Sequence, residues 1–189
     1  MIGQGAFGVV YLCTKKGGSK DEQFAVKMID KVETPLEEIQ QECMMLQKLA
    51  HPTVVKLHQV YYEKVFVCMV MDIYKGGDLI EGMQDHWQSK GMIPTQNIPH
   101  IASQMMEPIS YLHSQNCAHR DIKGDNYLMN IRDVLAPDLK LYLSDFGTVA
   151  EMKGDRLKTS VGTKIYWAPE QFQKDYGLKV DVWAAGIVV

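Results

Sequence analysis

Two short runs rich in β-branched and aromatic residues stand near the start of the chain, 7–12 (FGVVYL) and 24–29 (FAVKMI), and both read as strands. Gly17-Gly18-Ser19-Lys20-Asp21 between them reads as a hairpin turn or short loop. Side chains alternate along a strand, so Ala25, Lys27 and Ile29 share one face. A lysine between alanine and isoleucine on a part-buried face requires an anionic partner. A helix is expected next. Thr34 is placed to cap it, Pro35 to occupy its first turn and Glu37 to close a capping box. Leu36, Ile39, Cys43, Leu46 and Ala50 form its apolar stripe, and Pro52 limits it. Glu42 follows Ile39 by three positions and precedes Leu46 by four, so it points toward the buried side. It is either a flanking carboxylate in solvent or the partner of Lys27.

Residues 54–60 and 65–71 look like two further strands. Then the pattern changes. Asp72-Ile73-Tyr74-Lys75-Gly76-Gly77-Asp78 is a short polar connector that carries two glycines, a candidate boundary between lobes. Beyond it the spacing is mostly helical. Ile98, Ile101, Met105 and Leu112 keep helical register, with Pro108 expected to kink or interrupt the helix. Two short strands are expected within 127–131 and 139–144. From Asp181 the chain reads as the start of a strongly apolar helix.

The chain has 189 residues, 46% of them apolar, enough for one or two compact units and unlike a disordered chain. A net charge of −3 gives no support for a nucleic-acid partner. The four cysteines (13, 43, 68 and 117) are scattered without metal-ligand spacing, as expected of reduced thiols in an intracellular, cytoplasmic protein. Of the six histidines only His119 lies in a motif. No apolar run approaches the roughly 20 residues of a membrane span, and the N-terminus has no signal-peptide pattern.

The chemistry concentrates in two motifs, His119-Arg120-Asp121-Ile122-Lys123-Gly124-Asp125-Asn126 and Ser144-Asp145-Phe146-Gly147. One carboxylate can take a proton from a hydroxyl, an amide and a second carboxylate can hold metal, and a lysine can neutralise a transferring phosphoryl group. Upstream, Gly3-Gln4-Gly5-Ala6-Phe7-Gly8-Val9-Val10 is a G-x-G-x-x-G-x-V segment. The same glycine spacing marks dinucleotide-binding domains, but there it follows a strand and opens a helix. Here a strand, a turn and Ala25-Val26-Lys27 follow, which disfavours a Rossmann-type dehydrogenase. Downstream come Gly162-Thr163, Ala168-Pro169-Glu170 and Asp181-Val182-Trp183-Ala184-Ala185-Gly186.

In this order the motifs resemble the eukaryotic protein kinases of serine/threonine type, from Gly3 to Gly186. The resemblance implies an α+β, two-lobed protein-kinase-like fold, with a small β-rich N-lobe (1–71), a hinge (72–77) and a mostly helical C-lobe (78–189) that is truncated. It implies ATP and Mg²⁺ as cofactors and the Ser or Thr hydroxyls of proteins as acceptors. Lys27, oriented by Glu42, would hold the α- and β-phosphates, and Ile2, Gly3, Gly5, Gly8, Val10, Ala25, Asp72, Tyr74, Asp78 and Leu128 would complete the nucleotide site. Asp121 would be the base, Lys123 the γ-phosphate lysine, and Asn126 and Asp145 the metal holders. Arg120 resembles the arginine of kinases governed by loop phosphorylation, with Thr159 as phosphosite for an upstream kinase or for autophosphorylation. Asp181 would brace the catalytic loop, while Leu46, Leu57, His119 and Phe146 would form an apolar column. Lys123 and Thr163 resemble the serine/threonine class.

Two departures weigh on this reading. Little chain precedes the Gly-rich segment, and the sequence stops inside the helix that begins at Asp181, which leaves Glu170 expected to lack its arginine. The rival reading is a catalytically incompetent nucleotide-binding fragment or scaffold module. Against it, Lys27, Glu42, Asp121, Asn126 and Asp145 are all present.

Overall fold

The computed structural model describes residues 1–5, 8–19 and 21–189. Ala6 and Phe7 of the Gly-rich segment and Lys20 of the expected turn lie outside the described residues. The chain is α+β and divides into two compact units, Met1–Ala50 with Val55–Ile73, and His51–Val54 with Tyr74–Val189.

Among its described residues the first unit is an antiparallel five-stranded sheet with one helix. Its strands are β1 (Gly3–Gly5), β2 (Gly8–Thr14), β3 (Gln23–Asp30), β4 (Leu57–Tyr62) and β5 (Phe66–Asp72), in the spatial order β1-β2-β3-β5-β4. Lys27 pairs with Val10 on one side and Met69 on the other, so it lies on the central strand. Ala25 and Ile29 flank it and are buried, as strand alternation requires. Gly8 has φ +150°, and a Cβ there would overlap the Met28 carbonyl oxygen, so only glycine fits this register.

Helix α1 (Leu36–Lys48) corrects three details of the expectation. Pro35 is extended (φ −54°, ψ 138°) and stands outside the helix, so the start shifts by one residue and Thr34 makes no side-chain cap. The Thr34 N–H donates instead to the Asp30 carbonyl at 3.0 Å. At the other end Leu49 leaves helical geometry (φ −102°, ψ 47°), which turns it inward and leaves Ala50 exposed. The buried face is therefore Ile39, Glu42, Cys43, Met45 and Leu46, extended by Leu49, while Leu36 stays outside. Strand β4 begins at Leu57 rather than 54. Val54, which belongs to the second unit, bridges Leu143 of the same unit, and the Leu143 N–H donates to the Thr53 carbonyl at 2.9 Å.

In the second unit the main helices are α2 (Leu79–Lys90), α3 (Ile98–Ser114), α4 (Pro169–Phe172) and α5 (Val180–Val188). The helix α3 runs unbroken through Pro108, contrary to the expected interruption. The Pro108 ring is buried on the same stripe as Ile101, Met105, Ile109 and Leu112, and that packing holds the helix across the missing N–H. Short ladders carry the loops: β6 (Cys117–Ala118) pairs with β9 (Ala150–Glu151), and β7 (Tyr127–Met129) with β8 (Leu141–Leu143). The β6–β9 ladder was not visible in sequence, because two-residue strands have no periodicity. Between β7 and β8 the chain is fastened by Asn130, which donates to the Asp138 carbonyl at 2.9 Å and accepts from Lys140 N–H at 2.7 Å. Val134 and Leu139 of this segment are buried. Among the described residues no helix is long and apolar enough to cross a membrane.

The register of α1 makes a direct prediction. Met45 is 2% exposed and its neighbour Met44 51%. Met45→Ala should cost about 2–4 kcal/mol of unfolding free energy and Met44→Ala less than about 0.5 kcal/mol, measured by urea denaturation.

Candidate active site

The site is assembled around Asp181 in the first turn of α5. This carboxylate is 1% exposed and accepts three hydrogen bonds. Two come from the backbone N–H groups of His119 (2.8 Å, to Oδ2) and Arg120 (2.8 Å, to Oδ1). The third involves His113 Nε2 of α3, 2.9 Å from Oδ2. His119 is clamped further. Its Nε2 donates to the Ser144 carbonyl at 3.0 Å, its own carbonyl accepts from Thr148 Oγ1 at 2.8 Å, and its ring meets Phe146 edge-on at 5.4 Å. The segment before Asp145 and the segment after it are thus tied to the motif at 119–126.

Asp121, two residues on, has every lone pair engaged. Oδ1 accepts from both the N–H and the Oγ1 of Thr163, each at 2.7 Å. Oδ2 lies 3.2 Å from Lys123 Nζ and 3.3 Å from Asn126 Nδ2. Lys123 Nζ also donates to Thr163 Oγ1 at 3.2 Å. Burial alone pushes the Asp121 carboxyl up, but the Thr163 hydrogen bonds and the Lys123 charge together outweigh it and hold the group below the usual carboxylate range. Gly162 makes the approach of Thr163 feasible: it has φ +90°, and a Cβ there would overlap the Arg120 carbonyl oxygen.

Asn126 spends its amide nitrogen on the Asp121 carbonyl at 2.7 Å, which leaves its amide oxygen available as a ligand. Asp145 adopts left-handed backbone geometry (φ 60°, ψ 76°). Its Oδ1 is enclosed and has no hydrogen-bond partner among the described residues. An enclosed carboxylate oxygen without a donor is costly unless a cation meets it. An amide and a carboxylate oxygen are the donor type that hard divalent cations prefer, so these residues fit such a metal.

Arg120 also sits at positive φ (71°). Its Nε donates to the Thr148 carbonyl at 2.6 Å and its Nη1 to Thr159 Oγ1 at 2.5 Å, with Tyr176 Oη at 3.4 Å. Tyr176 Oη donates in turn to the Thr159 carbonyl at 2.6 Å. Thr159 is exposed, so its hydroxyl is reachable from solvent.

In the first unit Lys27 Nζ and Glu42 Oε1 form an ion pair at 2.8 Å, with both side chains mostly buried. Gly3 and Gly5 pair with Val10 and Gly8, and Ile2 N–H donates to Val10 at 2.8 Å. Val10 faces Lys27 across the ladder, and Ala25 faces Leu12. Asp72 N–H donates to the Lys56 carbonyl at 3.2 Å, and its side chain lies 2.6 Å from His58 Nε2. In the second unit Tyr74 packs on Tyr142, ring centroids 4.4 Å apart. Asp78 caps α2 by accepting from Glu81 N–H at 2.8 Å and bridges Leu128. Burial raises the Asp78 carboxyl above its usual range despite that bond.

The family model for the protein kinase domain matches residues 1–189. The chain belongs to the protein kinase domain family. It is 35% identical to the calcium/calmodulin-dependent protein kinase type 1 of Caenorhabditis elegans, over all of this chain and 53% of that one. It is 34% identical to the calcium-dependent protein kinase 4 of Arabidopsis thaliana, over all of this chain and 37% of that one. With the serine/threonine-protein kinase DCLK3 of Mus musculus it shares 32%, over all of this chain and 23% of that one. The chain spans about half the length of the Caenorhabditis relatives it matches, and less of the others.

Within this protein kinase domain, Thr148 and Tyr176 lie in none of the sequence motifs, and Thr163 reads in the sequence only as a mark of class. A tyrosine 56 residues from Arg120 carries no local signal of the contact. Thr163 had one, because a glycine directly before a hydroxyl residue permits close backbone approach.

The depressed Asp121 carboxyl has a definite sign. Its contribution to stability is present above the ordinary value near 3.8 and is lost as pH falls through the lower folded value. The stability gap between wild type and Asp121→Asn should therefore be widest above about pH 4 and narrow below it. Denaturant titrations at a series of pH values check this, and a constant gap contradicts it. Asp181→Ala should cost about 3–5 kcal/mol by the same measurement, since it leaves the His119 and Arg120 N–H groups buried and unmet.

Proposed function

We propose that this chain carries the catalytic machinery of an ATP- and Mg²⁺-dependent protein serine/threonine kinase, with an N-lobe at 1–71, a hinge at 72–77 and C-lobe residues at 78–189. The observation that supports it best is the convergence of Lys123, Thr163 and Asn126 on the Asp121 carboxylate. Phosphoryl transfer demands a positioned hydroxyl and positive charge on the phosphoryl oxygens more than covalent work by the protein. In this reading the acceptor hydroxyl donates to Asp121 Oδ2. The two contacts there are the longer ones, at 3.2 and 3.3 Å, whereas the 2.7 Å pair from Thr163 keeps Oδ1 occupied and the carboxylate oriented. As the hydroxyl enters, Lys123 Nζ leaves Oδ2 for the γ-phosphoryl oxygens. The O–H bond breaks to Oδ2 while the hydroxyl oxygen bonds phosphorus and ADP departs.

Lys27, steadied by Glu42, takes the α- and β-phosphates, under the glycines at 3, 5 and 8. Ile2, Val10, Ala25 and Leu128 contact the base, with backbone groups of Asp72 and Tyr74 at its polar edge and Asp78 toward the ribose. Asn126 and Asp145 would hold Mg²⁺, which would supply further positive charge to the phosphates. The acceptors are Ser or Thr residues of proteins. Thr159 receives a phosphate, from an upstream kinase or by autophosphorylation, and the new charge pairs with Arg120, already at its hydroxyl. An intracellular, cytoplasmic location fits four cysteines that form no disulfide.

Incubation with labelled ATP, Mg²⁺ and mixed Ser/Thr and Tyr peptides tests the reading. Label is expected on Ser or Thr, and label confined to Tyr, or none at all, refutes it. Asp145→Asn should abolish transfer while the folded far-UV spectrum remains. Thr163→Ala should lower kcat at least tenfold, about 1.4 kcal/mol or more in the barrier, and Thr163→Ser should restore most of it. Thr159→Ala should remove the activation that preincubation with ATP produces.

A further inference from the structure

Trp167 lies in the segment between Thr163 and α4, and its ring meets Phe172 edge-on at 5.1 Å. The side chain is 9% exposed, yet its indole Nε1 is enclosed and has no hydrogen-bond partner among the described residues. Indole nitrogen can only donate, so the missing partner must be an acceptor. Trp167 lines a small cavity that it shares with Arg120, Asp121, Thr163, Gln171 and Asp181. The free space open to a water molecule there is about 10 Å³, the room that one molecule needs. The lining mixes polar and apolar groups, whereas cavities that stay dry are apolar.

We propose that a single ordered water occupies this cavity, accepts the Trp167 Nε1–H and donates to Asp181 Oδ1. Among the carboxylates that line the cavity, counting lone pairs selects the second partner, a charged acceptor in preference to the neutral Gln171 amide oxygen, which already takes the Ala168 N–H. Both oxygens of Asp121 already carry two contacts each, from Thr163 on Oδ1 and from Lys123 and Asn126 on Oδ2. Asp181 Oδ2 is likewise filled by His119 N–H and His113. Asp181 Oδ1 holds one bond, from Arg120 N–H, and keeps a lone pair. The water thereby joins the segment at 163–168 to the carboxylate that holds His119 and Arg120. It is a site for water alone, since no larger ligand fits the volume.

A crystal structure of the chain at a resolution that shows ordered solvent tests this. A density peak within hydrogen-bond distance of both Trp167 Nε1 and Asp181 Oδ1 is expected. An empty cavity, or Nε1 bonded directly to a protein acceptor, overturns the proposal. In solution, the Trp167 indole proton should show a cross-relaxation peak to a long-lived water, while the exposed indoles of Trp87 and Trp183 should not. Trp167→Phe assigns the signal and should remove the water from the cavity. Its persistence in the same place in that variant shows that Trp167 does not hold it and overturns the bridge.

Discussion

The buried carboxylate of Asp181 is the constraint on which the second unit depends. A charge this deeply enclosed is tolerable only if donors surround it, and three do, from His113 on α3 and from two consecutive backbone N–H groups at 119 and 120. Two adjacent N–H groups aimed at one carboxylate dictate the backbone there. Arg120 accordingly sits at φ 71°, a conformation that costs a non-glycine residue about 1–3 kcal/mol and persists only where the surroundings impose it. That turn sends the Arg120 side chain toward Thr148 and Thr159 while Asp121 turns to Thr163. One buried charge thus sets the directions of two chemically opposite side chains.

The segment from 145 to 176 is held at both of these points. At one end Arg120 and Tyr176 hold Thr159 by its hydroxyl and its carbonyl. At the other Thr163 grips Asp121, which the absence of a side chain at Gly162 allows. Arg120 is the shared element, since its backbone is tied to Asp181 and its guanidinium to Thr159. A change of charge at Thr159 therefore acts on a residue whose neighbour is the proposed base. The first unit solves a separate problem in a similar way: Lys27, placed by strand alternation between buried Ala25 and Ile29, is matched by Glu42 on the buried face of α1.

Much of this was legible in the sequence because the periodicities are strong and the motifs local. Strand alternation put Lys27 on a buried face, helical spacing put Glu42 on the inner side of α1, and the two motifs with the Gly-rich segment identified the family. Where the reading erred, the cause was a competing local or tertiary effect. Pro35 took an extended conformation and displaced the Thr34 cap. Leu49 turned inward as α1 ended. Val54 left its expected strand for a bridge to Leu143, and Pro108 was absorbed into α3 by the packing of its ring.

By itself the sequence determined the kinds of chemistry present and the elements that carry them, because residue type and period are properties of short stretches. Asp121, Lys123, Asn126 and Asp145 stand out as a set by residue type and spacing alone. Only the tertiary structure decided that Thr163 saturates Asp121 Oδ1, that Arg120 meets Thr159 and Tyr176, and that Asp145 Oδ1 and Trp167 Nε1 are enclosed without a partner among the described residues. Those facts depend on which groups fill the last lone pair of a buried oxygen. Such saturation is settled by contacts between segments far apart in the chain, such as Arg120 with Thr159 and Thr163 with Asp121, 39 and 42 residues apart, and no local pattern encodes it.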